Sequence, residues 1–188
     1  KTPTFVQPTG IEYHKFQEVQ EKDVEQLREK LKLRNEKVFV SVSRLSNEKN
    51  IDFMIEAIDA LRRETHVPFR FLMIGDGHQK DRLQKKGMVI LEAMAAGLPV
   101  VAVRSSGIED VVRHGFNGFK TPEKQDQWRA QVKKLLEDDD LREKLSEQAL
   151  EFARDYSVEQ FAQDVRTIYA TTLAMAAKKR KGSIIHPE

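Results

Sequence analysis

Three stretches of the chain carry residue types suited to an anionic ligand. Arg44 and Lys49 stand five residues apart, directly after an apolar run at 38–43. Two cations at such a turn can neutralise a diphosphate where water is partly excluded. On spacing alone, an ordinary solvated loop is the better account. The second stretch is Gly75-Asp76-Gly77. Glycine there permits a tight turn and lets a ligand approach the backbone at Gly77, but Gly-Asp-Gly is also a common connector. The third begins at Gly87 and runs into an apolar segment carrying Glu92. Free backbone N–H groups at a helix start form an anion site. A carboxylate on an apolar helix needs a partner. Ribose hydroxyls or a structural ion pair, with Arg44 as a candidate, meet that need equally.

The elements that must position these residues alternate. A short strand is expected over 4–10, ended by turn residues, and a helix over 21–33, where Val24, Leu27 and Leu31 keep helical spacing. Val38-Phe39-Val40-Ser41-Val42-Ser43 reads as a strand buried on both faces. Asn50 is placed to cap a helix whose apolar face is Ile51, Met54, Ile55, Ile58 and Leu61. A second buried strand is expected over 69–74, a charged helix from Gln79, a buried helix over 87–97, and a third strand over 98–103. A short helix over 108–113 follows, with turns at Gly115 and Asn117-Gly118. The last third is helical. Trp128, Val132, Leu135 and Leu136 share one face, and Leu141, Leu145 and Phe152 another. Ser157 and Gln160 make a capping-box pattern for a final helix, expected to fray after Ala177. This alternation predicts an α/β fold, a Rossmann-like parallel sheet flanked by helices. Ligands in such sheets bind beyond the carboxyl ends of the strands, where all three stretches fall.

One join breaks the pattern. The charged segment Arg82-Leu83-Gln84-Lys85-Lys86 meets the apolar Gly87 segment with no strand between them. The expectation is that residues are missing between Lys86 and Gly87, one or two crossover units of roughly thirty residues each. The alternative is a bond inside a bent helix.

Composition narrows the partners. The 188 residues carry 32 basic and 30 acidic side chains, so no overall nucleic-acid footprint is present. The basic excess is local, at Lys178, Lys179, Arg180 and Lys181. A basic flexible tail over 178–188 could meet anionic lipid, and a solubilising tail is the simpler reading. There is no cysteine, and the five histidines have no metal-site spacing, so neither metal nor cofactor is expected. No signal peptide or membrane span is visible, and a cytoplasmic location is the default. The first residue is Lys1, and the chain reads as part of something longer.

Taken together, Val42 to Asp52, Leu72 to Gly77 and Gly87 to Val103 resemble the C-terminal domain of family 4 retaining glycosyltransferases of the GT-B fold. The resemblance runs from Pro8-Thr9-Gly10-Ile11-Glu12 through the final helix. It implies that residues 1–177 form a nucleotide-sugar-binding domain, the C-terminal half of a GT-B enzyme. Arg44 and Lys49 would hold the donor diphosphate. Backbone groups at Gly87, Met88 and Val89 would face phosphate and sugar, and Glu92 would bind ribose as the second glutamate of the family's E-x7-E motif. The first glutamate falls at Gln84, a departure that also points to a gap before Gly87. The family has further strand-helix units there, including much of the nucleobase pocket. Ser105-Ser106-Gly107-Ile108 departs as well, since relatives often carry two adjacent glycines.

The implied parent enzyme moves a sugar from a nucleoside diphosphate donor, of UDP-glucose type, with retention. No catalytic nucleophile can be nominated. The acceptor-binding N-terminal domain is absent from this chain, so the fragment is expected to be inactive alone. The wording further resembles bacterial glycolipid synthases that glucosylate diacylglycerol, which would place the parent peripherally on the inner membrane face. Two other readings stay open. One is a non-catalytic nucleotide-binding module, the other a sugar-nucleotide epimerase domain.

Overall fold

The chain order is α1 (Tyr13–Gln17), α2 (Glu21–Lys30), β1 (Lys37–Val42), α3 (Ile51–Glu64), β2 (Phe69–Ile74), α4 (Lys86–Ala95), β3 (Val100–Val103), α5 (Ser106–Glu109), β4 (Gly118–Thr121), α6 (Gln125–Glu137), α7 (Asp139–Arg154) and α8 (Val158–Gly182). The computed structural model describes Phe5, Gln7 and residues 9–42, 50–74 and 86–182, with backbone alone at 86–88, 106 and 176–182.

The two apolar runs pair in parallel, from Lys37 beside Phe69 to Val42 beside Ile74. Side chains alternate along a strand, so Phe39, Phe69 and Phe71 share one face. The Phe39 and Phe69 rings meet edge-on, 5.6 Å between centroids. That face packs on Ile58 and Leu61 of α3 and on Val132 and Leu136 of α6. β3 pairs with β4, also in parallel, from Val100 beside Gly118 to Val103 beside Thr121. Among the described residues the strands thus form two parallel pairs, β1-β2 and β3-β4. Val101 of β3 joins the core under the first pair, which ties the two pairs together by packing. The larger core lies around α4, where Leu91, Met94 and Ala95 bury against Ala149, Phe152 and Ala153 of α7.

Several expectations are corrected. No strand forms at the described residues of the opening stretch. Ile11 makes a single parallel bridge to Ser157 instead, its N–H donating to the Tyr156 carbonyl at 2.7 Å while Val158 N–H donates back at 2.9 Å. A Cβ at Gly10 would lie 2.9 Å from the Val158 Cα, so the close approach requires glycine. The short α1 was not foreseen; it buries Tyr13. Asn50 precedes α3, but its side chain makes no cap bond. Its backbone is left-handed, φ 46°, and Nδ2 donates to Glu123 Oε1 at 2.6 Å. The short helix expected over 108–113 is α5, shifted to Ser106–Glu109. β4 has no counterpart among the expected elements, which place only a turn at Asn117-Gly118. Ser157 does receive Gln160 N–H, at 3.2 Å, while the Gln160 side chain turns to Asp164 at 2.8 Å, so only half of the capping box forms. α8 continues past Ala177 to Gly182.

Asn117 holds the β3-β4 connection together. Its side chain is fully buried, donates to the Val111 carbonyl at 3.0 Å and accepts from Arg113 N–H at 2.8 Å. Gly118 follows at φ 158°, and a Cβ there would collide with the Val100 carbonyl oxygen. Asn117→Ala is expected to cost about 2–4 kcal/mol, because two buried backbone groups lose their partner. In a domain of this size that lowers the melting midpoint by roughly 4–16 °C. A thermal melt of the variant that overlays the parent contradicts the assignment.

Lys120 on β4 ties α5 down through Glu109, Nζ to Oε2 at 2.7 Å. That hydrogen bond holds the Glu109 carboxyl below its ordinary 4.5, against the opposing effect of desolvation. The folded-state value is depressed, so the contribution is complete above the unfolded value and is lost as pH falls through the folded one. Melting midpoints taken from pH 6 down to pH 3 are expected to fall more steeply for the parent than for Glu109→Gln. Parallel curves contradict this.

Candidate functional site

Strand direction places the site. β1, β2, β3 and β4 run parallel within their pairs. In a strand-helix-strand crossover the helix returns antiparallel to the strands. α3, which links β1 to β2, therefore starts at the carboxyl edge of its pair. α4, which leads into β3, starts at the carboxyl edge of the second pair. Among the described residues, the start of α3 and the segments following β3 and β4 lie at these edges. A described contact joins two of them: Asn50, at the start of α3, bonds Glu123, just after β4. Sequence reasoning missed this link, since Asn before a helix normally signals a cap.

Of the predicted donor residues, the described ones lie together on α4. The helix begins at Lys86, one residue before the expected Gly87, and both residues are helical. The N–H groups of Lys86, Gly87, Met88 and Val89 fill the first turn, where no intrahelical acceptor exists. Glu92 follows one turn later and is half-buried. Positions three and four apart share a helix face, so Glu92 lies under Val89 and Met88. Side chains lean toward the helix N-terminus, which carries the Glu92 carboxylate toward that first turn. The opposite stripe of Ile90, Leu91, Met94 and Ala95 is buried. The burial pattern therefore separates a core face from a face carrying Glu92.

Charge at the helix starts reinforces this. α2, α3, α5, α6, α7 and α8 each carry an acidic residue in the first turn. α4 carries none.

Arg44, Lys49, Gly75, Asp76, Gly77, Gln84 and the charged helix expected from Gln79 lie outside the described residues. By chain position Arg44 and Lys49 follow β1, and Gly77 follows β2. After β3, Ser105-Ser106-Gly107 opens α5. A Cβ at Gly107 meets nothing within 4 Å, so packing does not demand glycine there. A cavity of about 240 Å³ lies elsewhere, lined by Gln7, Gly10, Arg113, Phe152, Asp155, Tyr156, Phe161 and Asp164. Among the described residues none of the predicted donor residues lines it, and the Arg113 guanidinium lies over the Phe152 ring, 4.9 Å from its centroid. Among the described residues no helix is long and apolar enough to cross a membrane.

Comparison with known proteins gives the family. The family described as Glycosyl transferases group 1 matches residues 23–87 and, separately, 85–152. N-acetyl-alpha-D-glucosaminyl L-malate synthase of Bacillus anthracis is 25% identical over 179 positions, covering 74% of this chain and 46% of that protein. Alpha-D-kanosaminyltransferase of Streptomyces kanamyceticus is 26% identical over 190 positions, covering 77% of this chain and 48% of its own length. Anabaena HepE, solved in complex with UDP, superposes with a TM-score of 0.67 at 21% identity, over 86% of this chain and 56% of that one. The chain thus spans about half the length of these relatives, or less. The parallel α/β architecture matches the GT-B glycosyltransferase structures, and the chain belongs to the group 1 glycosyltransferase family.

Proposed function

We propose that this chain is the donor-binding domain of a glycosyltransferase that holds a nucleoside diphosphate sugar at the α4 end of its strands. One observation carries the reading: a helix whose first turn holds no acidic residue, followed one turn later by Glu92 on the face away from the core. In this reading the N–H groups of Gly87, Met88 and Val89 receive a diphosphate or sugar oxygen, and Glu92 accepts hydrogen bonds from ribose hydroxyls. Arg44 and Lys49 neutralise the diphosphate, and Gly77 lets the donor approach the backbone. As the sugar departs, charge develops on the diphosphate. Preorganised donors and cations at that point stabilise it. No protein nucleophile is assigned.

The donor is of the UDP-glucose type. HepE, which shares the fold, was solved with UDP. Transfer with retention, as in family 4, follows from the motif resemblance. The acceptor is assigned to a further domain making up the remainder of the relatives' length. A diacylglycerol acceptor, with Lys178 to Lys181 resting on an anionic inner membrane face, is the finest form of the reading. The departure at Gln84 favours one second reading, a nucleotide-binding module without transfer activity.

Calorimetric titration with UDP and with pyrophosphate tests the donor site. Both ligands are expected to bind the parent chain. Glu92→Gln is expected to weaken UDP about tenfold, which corresponds to about 1.4 kcal/mol, and to leave pyrophosphate unchanged. Lys49→Ala weakens both. Equal UDP affinity in parent and Glu92→Gln contradicts the ribose role, and no heat with either ligand contradicts the site.

A further inference from the structure

Three observations bear on the junction of Lys86 and Gly87, and the first is located there. The family matches the chain in two pieces that abut there, 23–87 and 85–152. The alignment to the Bacillus anthracis synthase spans 179 positions but uses 74% of the 188 residues, about 139, so about 40 positions of the relative face no residue of this chain. For the kanosaminyltransferase, 190 positions against 77%, about 145 residues, leave about 45. The sheet is divided as well, into β1-β2 and β3-β4.

Doubly wound sheets commonly run in the strand order 3-2-1-4-5-6. The pair β2-β1 fits the 2-1 portion of that order, and β3-β4 the 5-6 end. Strands 3 and 4 are then the ones lacking, and strand 4 belongs between β1 and β3. Two strands and a connecting helix need thirty residues or more, which the gap of about 40 positions accommodates.

The surfaces such a unit would cover are open. Lys37 N–H donates to the Pro68 carbonyl on the β2 side at 3.0 Å. Backbone groups alternate in direction along a strand, so the amides of Val38, Val40 and Val42 face the other edge. Likewise Arg104 N–H donates to Thr121 on the β4 side at 2.8 Å, which turns Val101 and Val103 to the far edge of β3. Among the described residues neither edge has a strand partner. The face of the first pair opposite its phenylalanines is uncovered too: Val40, Val42 and Ile74 are 46–53% exposed.

We infer that β1, β3 and the uncovered face beside them are the seat of a strand-helix-strand segment of about 40 residues, which relatives carry where this chain joins Lys86 directly to Gly87. Its second strand lies between β1 and β3 and turns two parallel pairs into one sheet. The inference rests on the family match and the strand register, not on the donor assignment, and its test involves no ligand.

Amide hydrogen exchange on the 188-residue chain is expected to show Val38, Val40 and Val42 exchanging at least about a hundredfold faster than Phe39 and Ser41, as for amides opening without unfolding. Inserting the matching segment of the Bacillus anthracis synthase between Lys86 and Gly87 is expected to remove that difference and to slow Val101 and Val103 as well. Equal protection along β1 in the unmodified chain overturns the inference, because the edge is then already covered. A folded insertion variant with unchanged exchange overturns it too. Protection that rises with protein concentration would assign the edge to a second copy of this chain and likewise overturn it. If the insertion variant does not fold, the segment added as a separate peptide in excess must give the same protection, and its failure to do so counts against the inference.

Discussion

Met94 and Ala95 on α4 and Ala149 and Ala153 on α7 lose all their solvent exposure where the two helices meet. Small side chains at the crossing let the helix axes approach closely, and Phe152 seals the contact with Leu91 and Ile90. Each large apolar side chain buried in this way contributes on the order of 1.5–3 kcal/mol. The contact fixes the rotation of α4 about its own axis. With the stripe Ile90, Leu91, Met94 and Ala95 committed to the core, Val89 and Glu92 must fall on the other side. It also fixes the height of the helix, and with it the position of the first turn at the carboxyl edge. The placement of Val89 and Glu92 away from the core is therefore a consequence of core packing.

The same division appears in the electrostatics. Six of the other helices neutralise their positive ends with acidic residues of their own, such as Asp52 on α3 and Asp126 on α6. Those helices are complete without a ligand. α4 starts with Lys, Gly and Met and carries no acidic residue in its first turn. A helix built this way gains from an external anion, and the gain is largest where solvent is partly excluded.

The strands β1 and β2 were legible because each is a short, largely apolar run, and α6 and α7 because their apolar residues recur at helical spacing. The N-terminal bridge was not legible. Ile11 is held by Ser157 and its neighbours, far away in the chain, and nothing local distinguishes it. β4 was hidden for a similar reason. Gly118-Phe119-Lys120-Thr121 begins with a turn former and becomes a strand by pairing with β3. Asn50 misled in the opposite direction, since its local signal for a cap was overridden by a partner on another loop. The join at Lys86–Gly87 stands out in the sequence, because a strand-helix alternation has a period that can be violated. At the site, Glu92 could be singled out by its charge on an apolar helix, whereas the roles of Met88 and Val89 came only from family resemblance, since a backbone N–H leaves no mark in the residue type.

The account stands or falls on where a nucleoside diphosphate touches the chain. Two-dimensional NMR of the labelled protein titrated with UDP measures this directly. The account predicts that the largest shifts appear at the amides of Gly87, Met88 and Val89, extend to Glu92, and saturate together. Shifts confined to the cavity around Gly10, Arg113 and Asp164, with the first turn of α4 unmoved, would contradict it.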